Sequence, residues 1–254
     1  MEERIVILNN EDEQLIGLRA IPHALKAKNP AALLVHGFHY FKEEDGMFDD
    51  IARLLSERGV IVYRFDFSGC GESEGDFQKK NLTKSIEDLS CMFNAVLTDP
   101  QVDCDRIGII SQSAGTCYSI GLNPAVQWMV FLGTVAHPKE GLIRLFGSGY
   151  NPNGLSIRYG SSGSSSGKKT VIEQSFWMDL ERYDILGLVP QIRCPKLFIH
   201  GAQDDIVPHA EMEAVFNVAN EPKEKILIEN ADHGMVPNRQ GMYTALLAWL
   251  EHRI

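Results

Sequence analysis

Apolar and polar positions follow two different rhythms along this chain. "RIVIL" (4–8) and "QLIGLRAI" (14–21) are β-rich runs around the polar turn "NNEDE", a pattern that predicts a hairpin. Three short, nearly continuous apolar runs follow: "AALLVHG" (31–37), "VIVYRFDF" (60–67) and "RIGIIS" (106–111). Runs of this kind suit strands buried on both faces of a parallel sheet. Between them the spacing is helical. "DGMFDDIARLLSERG" (45–59) stops at Gly59, placed to cap a helix C-terminus, and "NLTKSIEDLSCMFNAVL" (81–97) carries a stripe of Leu82, Ile86, Leu89, Phe93 and Leu97. "VQWMVFLGTV" (126–135), "KLFIHG" (196–201) and "KILIEN" (225–230) continue the strands, and a last amphipathic helix carries Leu246, Leu247 and Leu250. Strands alternating with helices predict an α/β fold, a mostly parallel central sheet with helices on both faces.

The alternation breaks between residues 138 and 194. That stretch is rich in glycine and serine and then helical again around "VIEQSFWMDLERYDIL" (171–186). The expected organisation is therefore a core begun by residues 1–137, a small inserted cap or lid over 138–194, and the core completed by 195–254. A segment inserted between strands of such a sheet sits over their C-terminal edge, where ligands bind. "GSSGSSSG" (160–167) has the composition of a flexible linker, and fits either a mobile natural loop or an engineered replacement.

Composition narrows the function. The 254 residues are enough for one large α/β domain or two modest ones, and the apolar share of 44% is that of a soluble globular protein. The net charge of −10 argues against a nucleic-acid partner and against docking on anionic lipid through a basic patch. No apolar run reaches the roughly 18 residues of a membrane span, and "MEERIVILNN" is a poor secretion signal. Cys70, Cys91, Cys104, Cys117 and Cys194 are odd in number and form no C-x-x-C pair. They read as reduced thiols of a cytoplasmic protein, packing as small apolar residues, with a catalytic cysteine the less favoured reading. "HGFH" offers His36 and His39 to a metal, but no H-E-x-x-H or cysteine cluster accompanies them. "SGCGESEG" lacks the lysine of a phosphate loop. Neither a metal nor another cofactor is expected.

The candidate chemistry lies in "GIISQSAGT" (108–116), where a strand runs into a turn of small residues and then a helical stretch. A tight strand–turn–helix that lifts a serine above a sheet needs small residues two before and two after the nucleophile. Ser113 meets this with Ser111 and Gly115, whereas Ser111 as nucleophile would place Ile109 in the crowded position. By its residues alone the segment also fits a plain helix start with Ser113 as N-cap.

Four segments in order then resemble the α/β-hydrolase superfamily. They are "LLVHGF" (33–38), "RFDFSGCGES" (64–73) with "IISQSAGT" after it, "IHGAQDDIVP" (199–208) and "ADHGM" (231–235). The resemblance covers nearly the whole chain outside the insertion. It implies a Ser–Asp–His triad in the superfamily's chain order, with Ser113 as nucleophile and His233 as its base. The orienting acid is Asp204 or Asp205. The family pattern G-x-x-D-x-x-V-P favours Asp204, because Gly201 to Pro208 fits only in that frame. The oxyanion donors are then the backbone N–H groups of Ala114 and, by resemblance, Phe38. His36 and His200, each before a glycine at a strand end, read as structural.

What the resemblance implies is an esterase acting without a cofactor on a small-molecule ester, similar to bacterial cinnamoyl (feruloyl) esterases and monoacylglycerol lipase-type enzymes. Thioesterase, peptidase, amidase and acyltransferase chemistry use the same parts, and a silent binding member of the fold is the alternative of a different class. Phe38 and Tyr40, with apolar residues of the insertion such as Trp177, are the expected walls of an acyl or aryl pocket. A homodimer is left open.

Overall fold

A computed structural model of the protein describes residues 1–160 and 167–254. The middle of the "GSSGSSSG" stretch, expected to be a mobile lid loop, lies outside the described residues. The strands are β1 (Glu2–Leu8), β2 (Gln14–Ala20), β3 (Asn29–Val35), β4 (Ile61–Phe65), β5 (Val102–Gln112), β6 (Trp128–Leu132), β7 (Ser156–Tyr159), β8 (Lys169–Ile172), β9 (Lys196–Gly201) and β10 (Lys223–Ile228). The helices are α1 (Met47–Ser56), α2 (Leu82–Thr98), α3 (Ala114–Leu122), α4 (Pro138–Phe146), α5 (Gln174–Leu180), α6 (Ile185–Leu188), α7 (His209–Val218) and α8 (Arg239–Leu250).

Eight strands form one sheet in the order β1-β2-β4-β3-β5-β6-β9-β10. The β1–β2 hairpin is antiparallel and joins β4 antiparallel, and the strands from β4 to β10 run parallel. Continuous apolar runs make sense here because successive side chains serve opposite faces. Leu33, Ile109, Phe131 and Phe198 point into one layer with Phe93 of α2, Ile120 of α3 and Val215 of α7. Their neighbours Leu34, Ile110, Val130 and Ile199 point into the other, with Phe48 and Ile51 of α1 and Leu246 and Leu250 of α8. The fold is the mixed α/β sheet, covered on both faces, of the α/β hydrolases.

The helix stripes behave as their spacing demands. In α2, Leu82, Leu89 and Phe93 are buried, Ile86 and Leu97 are half-buried, and the Asn81 side chain caps the start by accepting the Lys84 N–H. Gly59 closes the chain after α1 at φ +87°, a left-handed conformation that glycine takes without strain.

The insertion differs from its expected form. Residues 171–186 are not one helical stretch. Val171 and Ile172 belong to β8, which pairs antiparallel with β7, and helix begins only at Gln174. It stops after Leu180, and Asp184 opens α6 by accepting the Gly187 N–H. β-branched residues suit a hairpin, and an aspartate that caps a new helix ends the old one.

Candidate active site

β5 passes into α3 through a single residue. Ser113 sits at φ 53°, ψ −124°, a backbone conformation that non-glycine residues adopt only when their surroundings impose it. The surroundings are visible. Its N–H donates to Leu132 O on β6 at 2.9 Å, and its carbonyl accepts the Thr116 N–H and hydroxyl at 2.9 and 2.6 Å. At Gly115 a Cβ would come within 2.4 Å of Val35 O, so nothing larger than glycine lets α3 approach β3. At Ser111 the crowding is relieved differently. That side chain is fully buried, and its Oγ lies 2.6 Å from Ser119 Oγ on α3. The crowded position thus takes a serine, whose hydroxyl finds a hydrogen-bond partner on the facing helix.

The loop after β3 lies against this turn. A Cβ at Gly37 would be 3.2 Å from Ser113 Cβ. Both polar groups of Gly37 are held: its N–H donates to Glu44 Oε1 at 2.5 Å, and its carbonyl lies 2.9 Å from His36 Nδ1. His36 Nε2 accepts the Phe67 N–H, so the imidazole proton must be on Nδ1, pointing at Gly37 O. Burial, and then the charge of Lys80, bring the His36 pKa down to about 3, which keeps the ring neutral. The carbonyl it holds belongs to the Gly37–Phe38 peptide, whose N–H is on the opposite side. Among the described residues, the N–H groups of Phe38 and Ala114 find no acceptor.

Asp204 follows β9 and is buried. Its Oδ1 accepts the Ile206 and Val207 N–H groups at 3.0 and 2.8 Å, and its Oδ2 lies 2.7 Å from His233 Nδ1. His200, fully buried, brings Nε2 within 3.2 Å of the same oxygen and 2.7 Å of Val207 O. Burial alone pushes the Asp204 carboxyl up, but the hydrogen bonds from His200 and His233 outweigh it and hold the group well below the usual carboxylate range. Asp205 is exposed. Asp232 turns away from its neighbour His233 and accepts the Val236 N–H.

His233 is fixed over the end of β6. Its carbonyl accepts Gln112 Nε2 at 2.9 Å, which ties the histidine loop to the residue before Ser113. Its ring lies over Gly133, where a Cβ would come within 3.1 Å of the ring carbon Cε1 and where φ is +56°. Gly133 follows Leu132, the acceptor of the Ser113 N–H. The histidine loop and the Ser113 turn are thus both anchored at the end of β6.

Beside Ser113 lies a narrow apolar cavity lined by Phe38, Ala114, Cys117, Leu142, Phe176 and Leu180, with Tyr118 and Ser85 also at its wall. The Cys117 thiol is pushed up to about 12 by burial and is no nucleophile. Two residues expected at the pocket are elsewhere. Trp177 is buried in the cap, its Nε1 donating to Ser156 Oγ at 2.9 Å and its ring against Phe146, Tyr150 and Phe176. Tyr40 stacks on Phe41 and donates to Asp45. Phe38 alone of the three meets the cavity, edge-on to Phe77, Phe146 and Phe176. Sequence reasoning missed Glu44, Gln112 and the contact of His200 with Asp204. Each is an ordinary polar residue whose role comes from a long-range contact. Among the described residues no His, Cys, Asp and Glu group is arranged to hold a metal, and no helix is long and apolar enough to cross a membrane.

Comparison with known proteins bears on the fold. The family model described as serine aminopeptidase, S33, matches residues 28–146. The mitochondrial palmitoyl-protein thioesterase ABHD10 of Bos taurus is 23% identical over 232 residues, covering 83% of this chain and 69% of that protein. The uncharacterized protein YfhR of Salmonella typhi is 27% identical over 180 residues, 70% of this chain and 56% of the relative. Among solved structures, Est1E from Butyrivibrio proteoclasticus with bound ferulic acid superposes with a TM-score of 0.81 at 18% identity, over 98% of each chain. Mouse α/β hydrolase domain-containing protein 10 does so with a TM-score of 0.73 at 20% identity, over 98% of each.

Proposed function

This chain has the α/β-hydrolase fold, and from that premise we propose that it is a serine hydrolase cleaving carboxylic esters through an acyl-enzyme on Ser113. The observation that carries the proposal is the 2.7 Å hydrogen bond between Asp204 and His233, on a loop tied to the strained Ser113 turn. In this reading His233 takes the Ser113 proton as Oγ attacks the ester carbonyl, and the Phe38 and Ala114 N–H groups receive the oxyanion. Asp204 holds the imidazole by Nδ1 and stabilises its positive charge. Collapse of the tetrahedral intermediate breaks the bond to the alkoxy oxygen, which takes the proton from His233 as it leaves. Water repeats the sequence on the acyl-enzyme, giving the carboxylic acid and returning the proton to Ser113.

The acyl group occupies the cavity walled by Phe38, Leu142 and Phe176, between the core and residues 138–194, which we read as the cap. At about 20 Å³ the closed cavity favours a short acyl chain, and an aryl acid such as the ferulic acid bound to Est1E would need its walls to move apart. Thioester cleavage is the second reading, favoured by the thioesterase name of the ABHD10 relatives. Free cysteines and the absence of a membrane-crossing helix among the described residues support a cytoplasmic place of action. Values of kcat/KM for acetate, butyrate, octanoate and ferulate esters, each beside its thioester, test the proposal. We expect the rate to rise over the first few acyl carbons, at about 0.8 kcal/mol per buried methylene, and then to stop. Failure of a fluorophosphonate probe to label Ser113 overturns it.

A further inference from the structure

The β7–β8 hairpin covers the loop that follows Phe38, and its inner face changes character along its length. The register sets Ser156 opposite Ile172 and Arg158 opposite Thr170. Opposed residues share a face of a hairpin, as do alternate residues of one strand, so Ser156, Arg158, Lys168, Thr170 and Ile172 face the same way. Ile172 and Ser156 are fully buried, and Ser156 holds the Trp177 indole. Thr170 Oγ1 lies 2.6 Å from His39 Nδ1, and Lys168 Nζ stands 5.1 Å over the Phe41 ring. This face therefore rests on residues 39–41, directly after the oxyanion donor.

Arg158 lies between those contacts, and its guanidinium has neither an ion pair nor a hydrogen bond among the described residues. Its Nε is buried, and burial depresses its basicity with no acid to offset the effect. The intervening residues 161–166 are only serine and glycine, so they bring no carboxylate. Arg19, Arg64 and Arg182, by contrast, each hold an acid, in a chain whose 34 acidic residues outnumber its 24 basic ones. His39 adds no charge: burial, then Lys168 and Arg158, bring it down to about 4. The guanidinium thus has its Nε shut off from solvent and its outer nitrogens open, beside a neutral imidazole and a second cation, a setting that an anion would complement.

We propose that Arg158, with Lys168 beside it, binds an anionic group of the substrate, a carboxylate or a phosphate, at the mouth of the Ser113 site. The inference rests on the serine-hydrolase reading above. It narrows the substrate class to esters or thioesters that carry a negative charge near the bond cleaved. A carboxylate would come from the half-ester of a dicarboxylic acid, a phosphate from a nucleotide-bearing thiol leaving group.

Two matched substrate pairs separate these sources: 4-nitrophenyl hydrogen glutarate against 4-nitrophenyl butyrate, and butyryl-coenzyme A against the butyryl thioester of N-acetylcysteamine. The protein should favour the charged member of one pair by roughly 10-fold or more in kcat/KM, the scale of a charge-assisted hydrogen bond, and that pair names the anion. Arg158→Met should collapse the ratio toward one by raising KM for the charged member. Arg158→Lys should keep part of it, and added salt should erode it. No preference in either pair, or a ratio untouched by Arg158→Met in a variant that still turns over the neutral ester, overturns the inference. Ser113→Ala should abolish all four activities. Turnover that survived it would count against the serine-hydrolase reading, a result separate from the ratio.

Discussion

At Ser111 and Ser113 the same side chain meets opposite requirements, and the difference decides what each substitution does. Ser111 is fully buried and spends its hydroxyl on Ser119, whereas Ser113 is partly open at a strained turn. Ser111→Ala should leave turnover largely intact but strand the Ser119 hydroxyl, costing about 1–2 kcal/mol, measurable as a lower Tm. Ser113→Ala should leave Tm near its original value and cut kcat on the order of 10⁴ to 10⁶-fold. A dead Ser111 variant beside an active Ser113 variant would reverse the assignment. The two acids divide in the same way. Asp204→Asn loses the carboxylate that two backbone N–H groups and two imidazoles share, and should lower kcat about 10⁴-fold by unsettling the His233 tautomer. Asp205→Asn, at an exposed side chain, should change kcat by less than about twofold. Equal large losses at both would separate Asp204 from the role given to it. The frame around Ser113 was legible in sequence because it is a steric rule about neighbours. Glu44 was not, since nothing local says that a carboxylate in "KEEDG" reaches back to the Gly37 N–H.

At the scale of elements, apolar runs and helical stripes marked the sheet strands and α1, α2 and α8 closely, because each has a single periodicity and a single burial demand. The cap was harder to read. Val171, Ile172, Phe176, Trp177 and Leu180 make a plausible helical stripe, but the first two serve β8 and only the others belong to α5. Aromatic weight in the insertion also did not say which rings look toward the site. Trp177 points into the cap and Phe176 into the cavity, although they are adjacent. This distinction gives a specificity prediction. Phe176→Ala removes a wall between α5 and the Gly37–Phe38 loop, so kcat/KM should fall for acetate and butyrate esters and rise for octanoate, shifting the preferred length by several carbons. Trp177→Phe keeps the ring but loses the hydrogen bond to Ser156, and should lower Tm without moving the length preference. A length profile that follows Trp177 rather than Phe176 would place the acyl group in the cap core.

Over the whole molecule, the parts converge because a parallel sheet delivers the C-terminal ends of β3, β5 and β9, and the loop after β10, to one edge. Strand order made that convergence predictable; the cost of burying charge there was not. Asp204 and Glu44 show two outcomes of that cost at the same edge. Asp204 gathers enough donors to stay ionised, so its contribution to stability is complete above its ordinary pKa near 3.9 and lost only as pH falls well below it. Glu44 has one backbone donor, Asp45 beside it and the charge of Arg239 as partial relief, and burial pushes it up from 4.5 to about 8. Between those values the folded protein keeps a proton that the unfolded chain has released, so rising pH takes stability away through this group, on the order of a few kcal/mol across the window. Glu44→Gln keeps an acceptor for the Gly37 N–H and cannot ionise. Its Tm relative to the parent should therefore climb steadily from pH 5 to pH 8 and level off above. Urea melts at matched pH check the same trend, and a difference that stayed constant across that range would mean that Glu44 is already ionised in the folded state.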